Sequence, residues 1–193
     1  MTGLRFRQLS LDGAWLVHSS PAVDERGSFA RLWCAKDAAL HNLPTTIAQI
    51  SHSVNPHPRT LRGMHFQAAP HEESKWVRCI AGEIHDVLLD IRLQSPTFGK
   101  WEAIRLRPQD LAQLYVPPGI AHGFLTLLPN SVVLYAITEF YHPSAAKGIR
   151  WNDPAFEIDW PETPQIISSR DENYPLWSEL SSNLISASTV TES

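Results

Sequence analysis

Two histidines of this chain lie in settings that suit proton transfer. His65 lies in the strand-like run Leu61–Gln67, between an arginine and apolar residues, and His122 follows a tight turn within Pro117–Phe124. A neutral imidazole in a partly apolar cavity is a competent proton acceptor near neutral pH. Two such histidines suggest one pocket, and the first hypothesis is therefore an enzyme that transfers protons.

Further side chains could complete this chemistry. Removing a proton beside a carbonyl requires a base, a group that fixes the tautomer of the base, and a cation or donor for the enolate oxygen. His65 is the candidate base, and Lys75, at the start of the next strand, is the candidate cation. Tyr135 lies in an apolar run where its hydroxyl needs a partner or a function, so it could return a proton to carbon. Asp171 is a carboxylate that could orient an imidazole.

Each of these residues also has a structural interpretation. Tyr135 could fill the core with a satisfied hydroxyl, and Lys75 could be an edge residue that extends its ammonium group to solvent. Asp171 follows two serines and an arginine, which also fits an ordinary capped turn. His65 considered alone fits a structural histidine in a strand, and its neighbours are what favour a functional role.

The elements that must position these residues are mainly strands. Fifteen prolines are spread along the chain, and the segments between them are short and rich in Val, Ile, Leu and Trp. The predicted strands are Lys75–Ile80, Ile84–Arg92, Trp101–Arg107, Ala112–Val116, Gly123–Leu128 and Ser131–Thr138. Their even spacing predicts a mainly β fold, an antiparallel sandwich or barrel. Short helices are expected at Ala35–His41 and Asp110–Gln113, neither long enough to organise a fold.

One predicted strand, Ile84–Arg92, carries charged residues in alternation. His85, Val87, Leu89 and Ile91 share one of its faces. Asp86, Asp90 and Arg92 share the other with Ile84 and Leu88. The alternation predicts a half-buried strand.

Length, charge and cysteine usage limit the classes of protein. The 193 residues suit one domain, predicted at 1–178, followed by a Ser/Thr-rich tail at 179–193. A net charge of −4 with dispersed Lys and Arg argues against binding to nucleic acid. Neither a bilayer-spanning apolar run nor the apolar core of a signal peptide is present. Cys34 and Cys79 lack CxxC spacing, so we expect buried thiols in a soluble cytoplasmic protein.

The run Pro117–His122 fits the second of two short motifs of cupin barrels, in which a PxGxxH turn points a histidine into the barrel. Metal-binding cupins also carry an HxH pair with a downstream glutamate on an earlier strand. The corresponding stretch, Gly63–Gly82, offers only His65, His71 and the pair Glu72–Glu73. Three or four ligands cannot converge from this sequence, so no metal is predicted.

Beyond these features, the chain resembles the dTDP-4-dehydrorhamnose 3,5-epimerases from about Asp24 to Trp177. The matching motifs are Asp24–Phe29, Leu61–Gln67, Lys75 before Val77–Arg78, Ser95–Trp101, Ala121–Phe124, Gly148–Pro154 and Ile158–Pro161. The resemblance implies a double-stranded β-helix barrel, which is a cupin-like jelly roll, with short peripheral helices. It also implies a homodimer that inverts carbons 3 and 5 of a nucleotide-linked 4-keto-6-deoxy sugar without cofactor or metal.

The resemblance further implies a role for each candidate residue. His65 is the base, Asp171 its partner, and Lys75 the group that stabilises the enolate, while Tyr135 delivers a proton to the opposite face of the sugar. The expected contacts with the nucleotide diphosphate and sugar are Arg26, Gln49, Arg62, His122 and Arg170. Tyr141 is expected to stack on the thymine, although it also fits a surface or dimer-contact aromatic.

The chain departs from the family pattern where the substrate is expected to bind. Arg31 replaces a common glutamate, Gln49-Ile50-Ser51 replaces Gln-Asp-Asn, and Ala146 stands where an acidic contact often lies. These departures leave open a CDP- or GDP-linked 4-keto sugar, or inversion at carbon 3 alone. Two other classes are also open: a cupin that binds nucleotide sugars without catalysis, and a metal-dependent cupin oxygenase or isomerase.

Overall fold

The computed structural model describes residues 3–181, which form two large antiparallel sheets and a small hairpin. The strands are numbered here in chain order. The first sheet has the spatial order β1 (Leu4–Gln8), β2 (Trp15–Ser19), β10 (Ala112–Val116), β7 (Lys75–Ala81), β12 (Ser131–Ile137) and β5 (Gln49–Asn55). The second has the order β13 (Ala146–Gly148), β6 (Thr60–Gln67), β11 (Ile120–Thr126), β8 (Ile84–Asp90) and β9 (Trp101–Leu106), with β14 (Ile166–Ile167) parallel to β6.

Short elements surround the sheets. The hairpin consists of β3 (Ala22–Asp24) and β4 (Gly27–Phe29), and the helices are α1 (Ala35–Leu40) and α2 (Ser169–Glu172). A 3-10 turn covers Pro108–Asp110. None of the helices between residues 3 and 181 has the length and apolarity needed to span a bilayer. Of the predicted tail at 179–193, residues 182–193 lie outside the described residues.

The two sheets pack face to face around the main core. Val77 and Leu114 from the first sheet meet Leu88 and Phe124 from the second, and all four are almost fully buried. Apolar side chains on alternate positions of each strand supply this layer, as expected for a sandwich of two sheets. The mainly β, jelly-roll prediction is confirmed.

The outer face of the second sheet is covered by the chain that follows β13. Phe156, Trp160 and Trp177 pack there against Met64 and Val87. Strand β8 is therefore buried on both faces, and the prediction of a half-buried strand is wrong. A two-sided core needs apolar or fully paired side chains at every position.

Both aspartates of β8 are buried because they have partners. Asp90 accepts hydrogen bonds from Arg92, Ser95 and Thr97, at distances between oxygen and donor atoms of 2.6–3.0 Å. Asp86 faces His122. Alternation alone does not distinguish a carboxylate that faces solvent from one that satisfies a buried partner, which is why the sequence prediction failed here.

Most predicted strands differ from the observed ones by one or two residues at an end, and two larger differences change where a residue lies. Strand β11 begins at Ile120, directly after the turn at Gly119, so His122 lies inside a strand rather than in the turn before it. The helical turn predicted at Asp110–Gln113 is also wrong, because β10 already begins at Ala112. The prediction of a short helix beginning at Ala35 is confirmed. Cys79 is buried as expected, whereas Cys34 is only half-buried.

Candidate active site

Side chains from both sheets line one cavity of about 280 Å³ at one end of the sandwich. On the second sheet, the pairing of β6 with β11 places His65 opposite His122. On the first sheet, Lys75 pairs with Ile137 and Tyr135 pairs with Val77. The cavity lining includes seven of the ten candidate residues: Gln49, Arg62, His65, Lys75, His122, Tyr135 and Tyr141. The candidate base and the candidate acid thus stand on opposite walls.

His65 is held by Asp171, which lies behind it. The His65 Nε2 atom is 2.8 Å from Asp171 Oδ1, and the carboxylate is buried while the imidazole is partly exposed. An ionised carboxylate can only accept a hydrogen bond, so we assign the proton of the neutral imidazole to Nε2. This tautomer leaves the Nδ1 lone pair available as the base.

The position of Asp171 follows from its short helix and from a glycine on β6. Ser168 caps α2 by accepting a hydrogen bond from the Asp171 backbone N–H. The Gly63 N–H donates to Asp171 Oδ2 at 3.1 Å. Gly63 has a φ of +144°, and a Cβ there would lie 2.5 Å from the Gly123 Cα atom. Only glycine allows β6 and β11 to approach so closely at this point.

These contacts set the protonation state of Asp171. Burial acts to raise the pKa of its carboxyl, but hydrogen bonds from His65, Gly63 and Ser168 hold the pKa below its usual value of 3.8. The group is therefore ionised at neutral pH. The Asp171 carboxylate therefore stabilises the folded protein at pH values above the pKa that it has in the unfolded chain. This stabilisation is lost as the pH falls through the lower pKa that it has in the folded protein.

Tyr135 is kept protonated by its surroundings. Burial raises the pKa of its phenol well above the usual value, and a hydrogen bond with Ser53 opposes this only in part. Its ring meets the His122 ring edge-on, with 6.3 Å between centroids. A phenol that stays neutral at physiological pH holds a proton for a strongly basic acceptor such as an enolate carbon.

Lys75 forms a buried ion pair that the sequence analysis did not predict. Its Nζ atom is 2.8 Å from Glu73 Oε1, and both side chains are about one-tenth exposed. The second oxygen, Oε2, accepts from the Gln67 amide at 3.1 Å. Glu73 also lines the cavity. The signal was the spacing of two residues, which places Glu73 beside Lys75 in an extended chain.

This pair gives a stability prediction. Replacing Lys75 with methionine leaves the Glu73 carboxylate without its cation, and we expect a loss of about 3 kcal/mol in the free energy of unfolding. The double variant Lys75→Met/Glu73→Gln carries no unpaired charge and should recover most of this loss. Urea unfolding of the wild type and these variants measures the difference. Equal stability of the single variant and the wild type would contradict the pairing.

His122 has its own carboxylate partner. Its Nε2 atom is 2.8 Å from Asp86 Oδ1, and both side chains are almost completely buried. The Asp86 carboxylate fixes the orientation of the ring, so that the cavity wall carries two imidazoles, each held from behind. The sequence analysis identified His122 but assigned Asp86 only to a strand face. No sequence signal joined residues that are 36 positions apart.

A smaller cavity of about 160 Å³ adjoins the first and shares His65, Glu73 and Tyr141 with it. Arg170 and Tyr174 also line it, with the guanidinium carbon 5.6 Å from the centre of the Tyr174 ring. The hydrogen bond of Arg170 with Tyr141 raises the pKa of the guanidinium. A cation beside the exposed Tyr141 ring suits a ligand that carries both a phosphate and a flat base.

The remaining candidate, Arg26, lies apart from the other nine. It is on the exposed β3–β4 hairpin, where its guanidinium forms an ion pair with Asp24 at 2.5 Å. The departures from the family pattern have different locations. Arg31 faces Asp37, Ile50 lies exposed on the outside of the first sheet, and Ala146 lines the smaller cavity. Of these three departures, only Ala146 borders one of the two cavities that hold the candidate residues.

The fold and the site define a class of protein. A jelly roll whose cavity carries a histidine–aspartate pair, a lysine and a partly buried tyrosine has the groups needed to move protons at carbons beside a ketone. The chain belongs to the dTDP-4-dehydrorhamnose 3,5-epimerase family, whose model matches residues 8–179. The members of this family are isomerases that act on carbohydrates, so the chain is an enzyme of that class.

Individual relatives agree with this assignment. The dTDP-4-dehydrorhamnose 3,5-epimerase of Sinorhizobium fredii is 36% identical over 176 residues, which is 91% of this chain and 90% of the relative. The crystal structure of the Legionella pneumophila epimerase in complex with dTDP-4-keto-L-rhamnose has a TM-score of 0.88 and 32% identity, covering 94% of this chain and 97% of its own. ChmJ of Streptomyces bikiniensis, a 3'-monoepimerase in complex with dTDP-quinovose, has a TM-score of 0.84 and 28% identity, covering 91% and 89%.

Proposed function

We propose that this enzyme inverts carbons 3 and 5 of dTDP-4-dehydro-6-deoxy-D-glucose to give dTDP-4-dehydro-L-rhamnose. The observation that carries the proposal is the placement of His65 and Tyr135 on opposite walls of one cavity, with Lys75 beside them. Inversion requires a proton to leave one face of a carbon and return to the other. The family assignment and the bound dTDP sugar of the Legionella relative support the choice of substrate.

The first step is deprotonation beside the ketone. The Nδ1 atom of His65 takes the proton from carbon. The electron pair of the broken C–H bond forms a double bond to the carbonyl carbon, and the π electrons of the carbonyl move to its oxygen, which gives an enolate. The Lys75 ammonium group, on a side chain that is about one-tenth exposed, stabilises the negative charge on that oxygen. The ionised Asp171 stabilises the imidazolium that results. The ketone itself acidifies both neighbouring carbons, so this step requires no redox cofactor.

The second step is protonation from the other wall. Tyr135 donates its phenol proton to the enolate carbon, which inverts the centre and leaves a phenolate. The imidazolium of His65 must then lose its proton, and Tyr135 must regain one, before the next carbon reacts. The imidazole loses its proton to solvent because it is partly exposed, and the phenolate regains one from water that enters the open cavity lined by Tyr135. His65 and Tyr135 act on both carbons if the sugar ring changes its position between the inversion of one carbon and the inversion of the other.

The nucleotide end of the substrate fits the outer part of the site. Arg62 and Arg170 supply positive charge for the diphosphate, and His122 and Gln49 supply polar contacts deeper in the cavity. Tyr141 is half-exposed and lines both cavities, so its ring is available to stack on the thymine. Arg62 is held in place by a 2.8 Å hydrogen bond from its Nε to Asn55.

Proton exchange with solvent tests the proposed reaction. Incubation with dTDP-4-dehydro-6-deoxy-D-glucose in deuterated water should place deuterium at carbons 3 and 5, as followed by NMR. Deuterium at carbon 3 alone would show a 3-epimerase instead, the activity stated for ChmJ. Binding without exchange at either carbon would reject catalysis on this substrate, and the same assay with CDP- and GDP-linked 4-keto sugars would then identify the base.

We further propose that the enzyme is a homodimer in the cytoplasm. The outer face of β5, β7 and β12 forms an apolar groove with Ile50, Trp76 and Leu134, and Ile50 is 67% exposed. Arg78 lies in the same groove, and its buried Nη1 atom has no hydrogen-bond partner within residues 3–181. Burial lowers the pKa of that guanidinium. A second copy of the chain that covers this face would bury the apolar residues and supply an acceptor for Arg78.

The dimer proposal also accounts for Arg26. The hairpin that carries it is fully exposed, with Val23 74% and Phe29 71% accessible to solvent. We propose that this hairpin reaches the cavity of the other subunit.

The cysteines support the cytoplasmic location. Half-buried Cys34 and buried Cys79 are both free thiols, which suits the reducing cytoplasm.

Subunit mixing gives the second prediction. Arg26→Ala and His65→Ala should each inactivate the enzyme, but a mixture of the two should recover about a quarter of the wild-type activity, because half of the dimers then hold one intact site. Activity after unfolding and refolding the mixed chains measures the recovery. No recovery in a mixture that forms dimers would contradict the shared site.

The position of the dimer interface can be tested separately. Ile50→Glu should weaken the dimer in ultracentrifugation, while Leu93→Glu, another exposed apolar position, should not.

A further inference from the structure

A second group of polar side chains lies on the loops beside the cavity and takes no part in the proposed reaction. His71 follows β6, and Glu139 and His142 follow β12. One donor atom from each of the three lies within 4.8 Å of the other two, and no other such group of three or more occurs among residues 3–181. All three side chains are half-buried, so their donor atoms are accessible to small ions.

The main chains of the two histidines are fixed by one buried amide. Gln67 is 3% exposed, and its Oε1 atom accepts from the His142 backbone N–H at 2.7 Å. Its Nε2 atom donates to the carbonyl oxygens of His71 and Phe140 at 3.1 and 3.0 Å. A single side chain therefore joins the two loops at the level of the backbone. This organisation lowers the entropy that would be lost in bringing the three donors together.

Glu139 is also oriented toward this point. Its Oε1 atom accepts from the Phe140 backbone N–H at 2.7 Å and lies 3.7 Å from His142 Nε2. Four ligands about 2.0–2.1 Å from a tetrahedral zinc ion lie about 3.3 Å from one another. The spacing between Glu139 and His142 already approaches this value.

We propose that His71, Glu139 and His142 form a binding site for a divalent transition-metal ion, of which zinc is the representative. Two imidazoles and one carboxylate are ligands that zinc and its neighbours prefer, whereas magnesium and calcium prefer oxygen ligands alone. Three protein ligands leave one position of a tetrahedral ion for water. From the sequence, both histidines were interpreted as solvated loop residues without a role, after His71 had been considered as a ligand inside the barrel.

Metal binding requires one local rearrangement. The His71 and His142 rings are stacked, with 3.4 Å between centroids and 16° between planes. A ligand lone pair lies in the plane of its ring, so both rings can bind one ion only after one of them rotates out of the stack. The half-buried position of both rings gives room for that rotation. We therefore expect zinc to separate the two stacked rings and to shift the NMR signals of both imidazoles.

Zinc titration of the full chain tests the proposal. Protein stripped with EDTA and desalted should bind one zinc ion per chain in competition with a chromophoric chelator. His71→Ala and His142→Ala should each weaken binding by at least about tenfold, since each loses one of three ligands. His52→Ala, which removes an exposed histidine of β5, and His65→Ala, which removes one of the cavity, should bind zinc like the wild type.

Thermal stability gives a second test of whether zinc binds at this site and not elsewhere on the protein. Zinc should also raise the melting temperature of the wild type but not of His71→Ala/His142→Ala, because only a ligand bound to the folded state stabilises it. Equal zinc affinity in the wild type and this double variant would overturn the proposal, as would loss of binding in His65→Ala alone. These measurements use no substrate, so the proposal can fail while the proposed epimerase activity stands, and the reverse.

Discussion

Replacing His65 with alanine is expected to lower the rate of epimerisation by about a thousandfold, which is about 4 kcal/mol of barrier. The variant keeps the cavity, Lys75 and Tyr135, but it lacks the group that removes the proton from carbon. Deuterium exchange at both carbons should fall by the same factor as product formation, because deprotonation precedes both. NMR in deuterated water measures the two rates in one sample.

A matched variant separates the loss of the base from the loss of its orientation. Asp171→Asn keeps the size of the side chain but can present an N–H to His65, which favours the tautomer with the proton on Nδ1. The lone pair would then point away from the cavity, and the rate should fall strongly although His65 is present. His57→Ala, in the exposed loop between β5 and β6, is the control and should be fully active. Wild-type exchange in His65→Ala would remove His65 as the base.

The sequence could predict those parts of the site that carry a local signature. His65, Lys75 and Tyr135 each lie in a short apolar run where a polar side chain is unusual, and each such run forms a strand. Strand periodicity then states which side chains share a face. It does not state which faces of different strands meet, and the family resemblance supplied that information.

Two carboxylates of the site, Asp86 and Glu73, have partners that were not assigned to them from the sequence. Asp86 was assigned to a strand face because its partner, His122, is brought to it only by the pairing of β8 with β11. Glu73 was considered only as a metal ligand, although its carboxylate binds Lys75. A buried carboxylate and a solvent-facing one look alike in a sequence, because the difference lies in the partner that satisfies the charge.

Arg26 shows a different limit. The resemblance implies that it contacts the substrate, but within one chain it lies on an exposed hairpin and not in the cavity. A sequence motif records that a residue belongs to a site without recording which subunit supplies it. The apolar groove on β5, β7 and β12 was also invisible to periodicity, because an outer face that a partner would cover has the same pattern as one covered by the chain itself.

Replacing Tyr135 with phenylalanine is expected to separate exchange from inversion. His65 can still remove a proton and return a deuteron from solvent to the same face, so deuterium should continue to enter the substrate. Inversion needs a proton from the opposite wall, and we expect product formation to fall by about a hundredfold or more. The wild type should incorporate deuterium mainly into product, whereas the variant should incorporate it mainly into unreacted substrate.

A second tyrosine provides the control for this experiment. Tyr115 also belongs to the first sheet and has a pKa raised mainly by burial, but it packs against Trp76 and does not line the cavity. Tyr115→Phe should therefore leave the partition of deuterium between substrate and product unchanged. If Tyr135→Phe inverts both carbons at the wild-type rate, the proton donor is another group. If it loses exchange together with inversion, Tyr135 acts in the deprotonation step, and the assignment of opposite roles to the two walls is wrong.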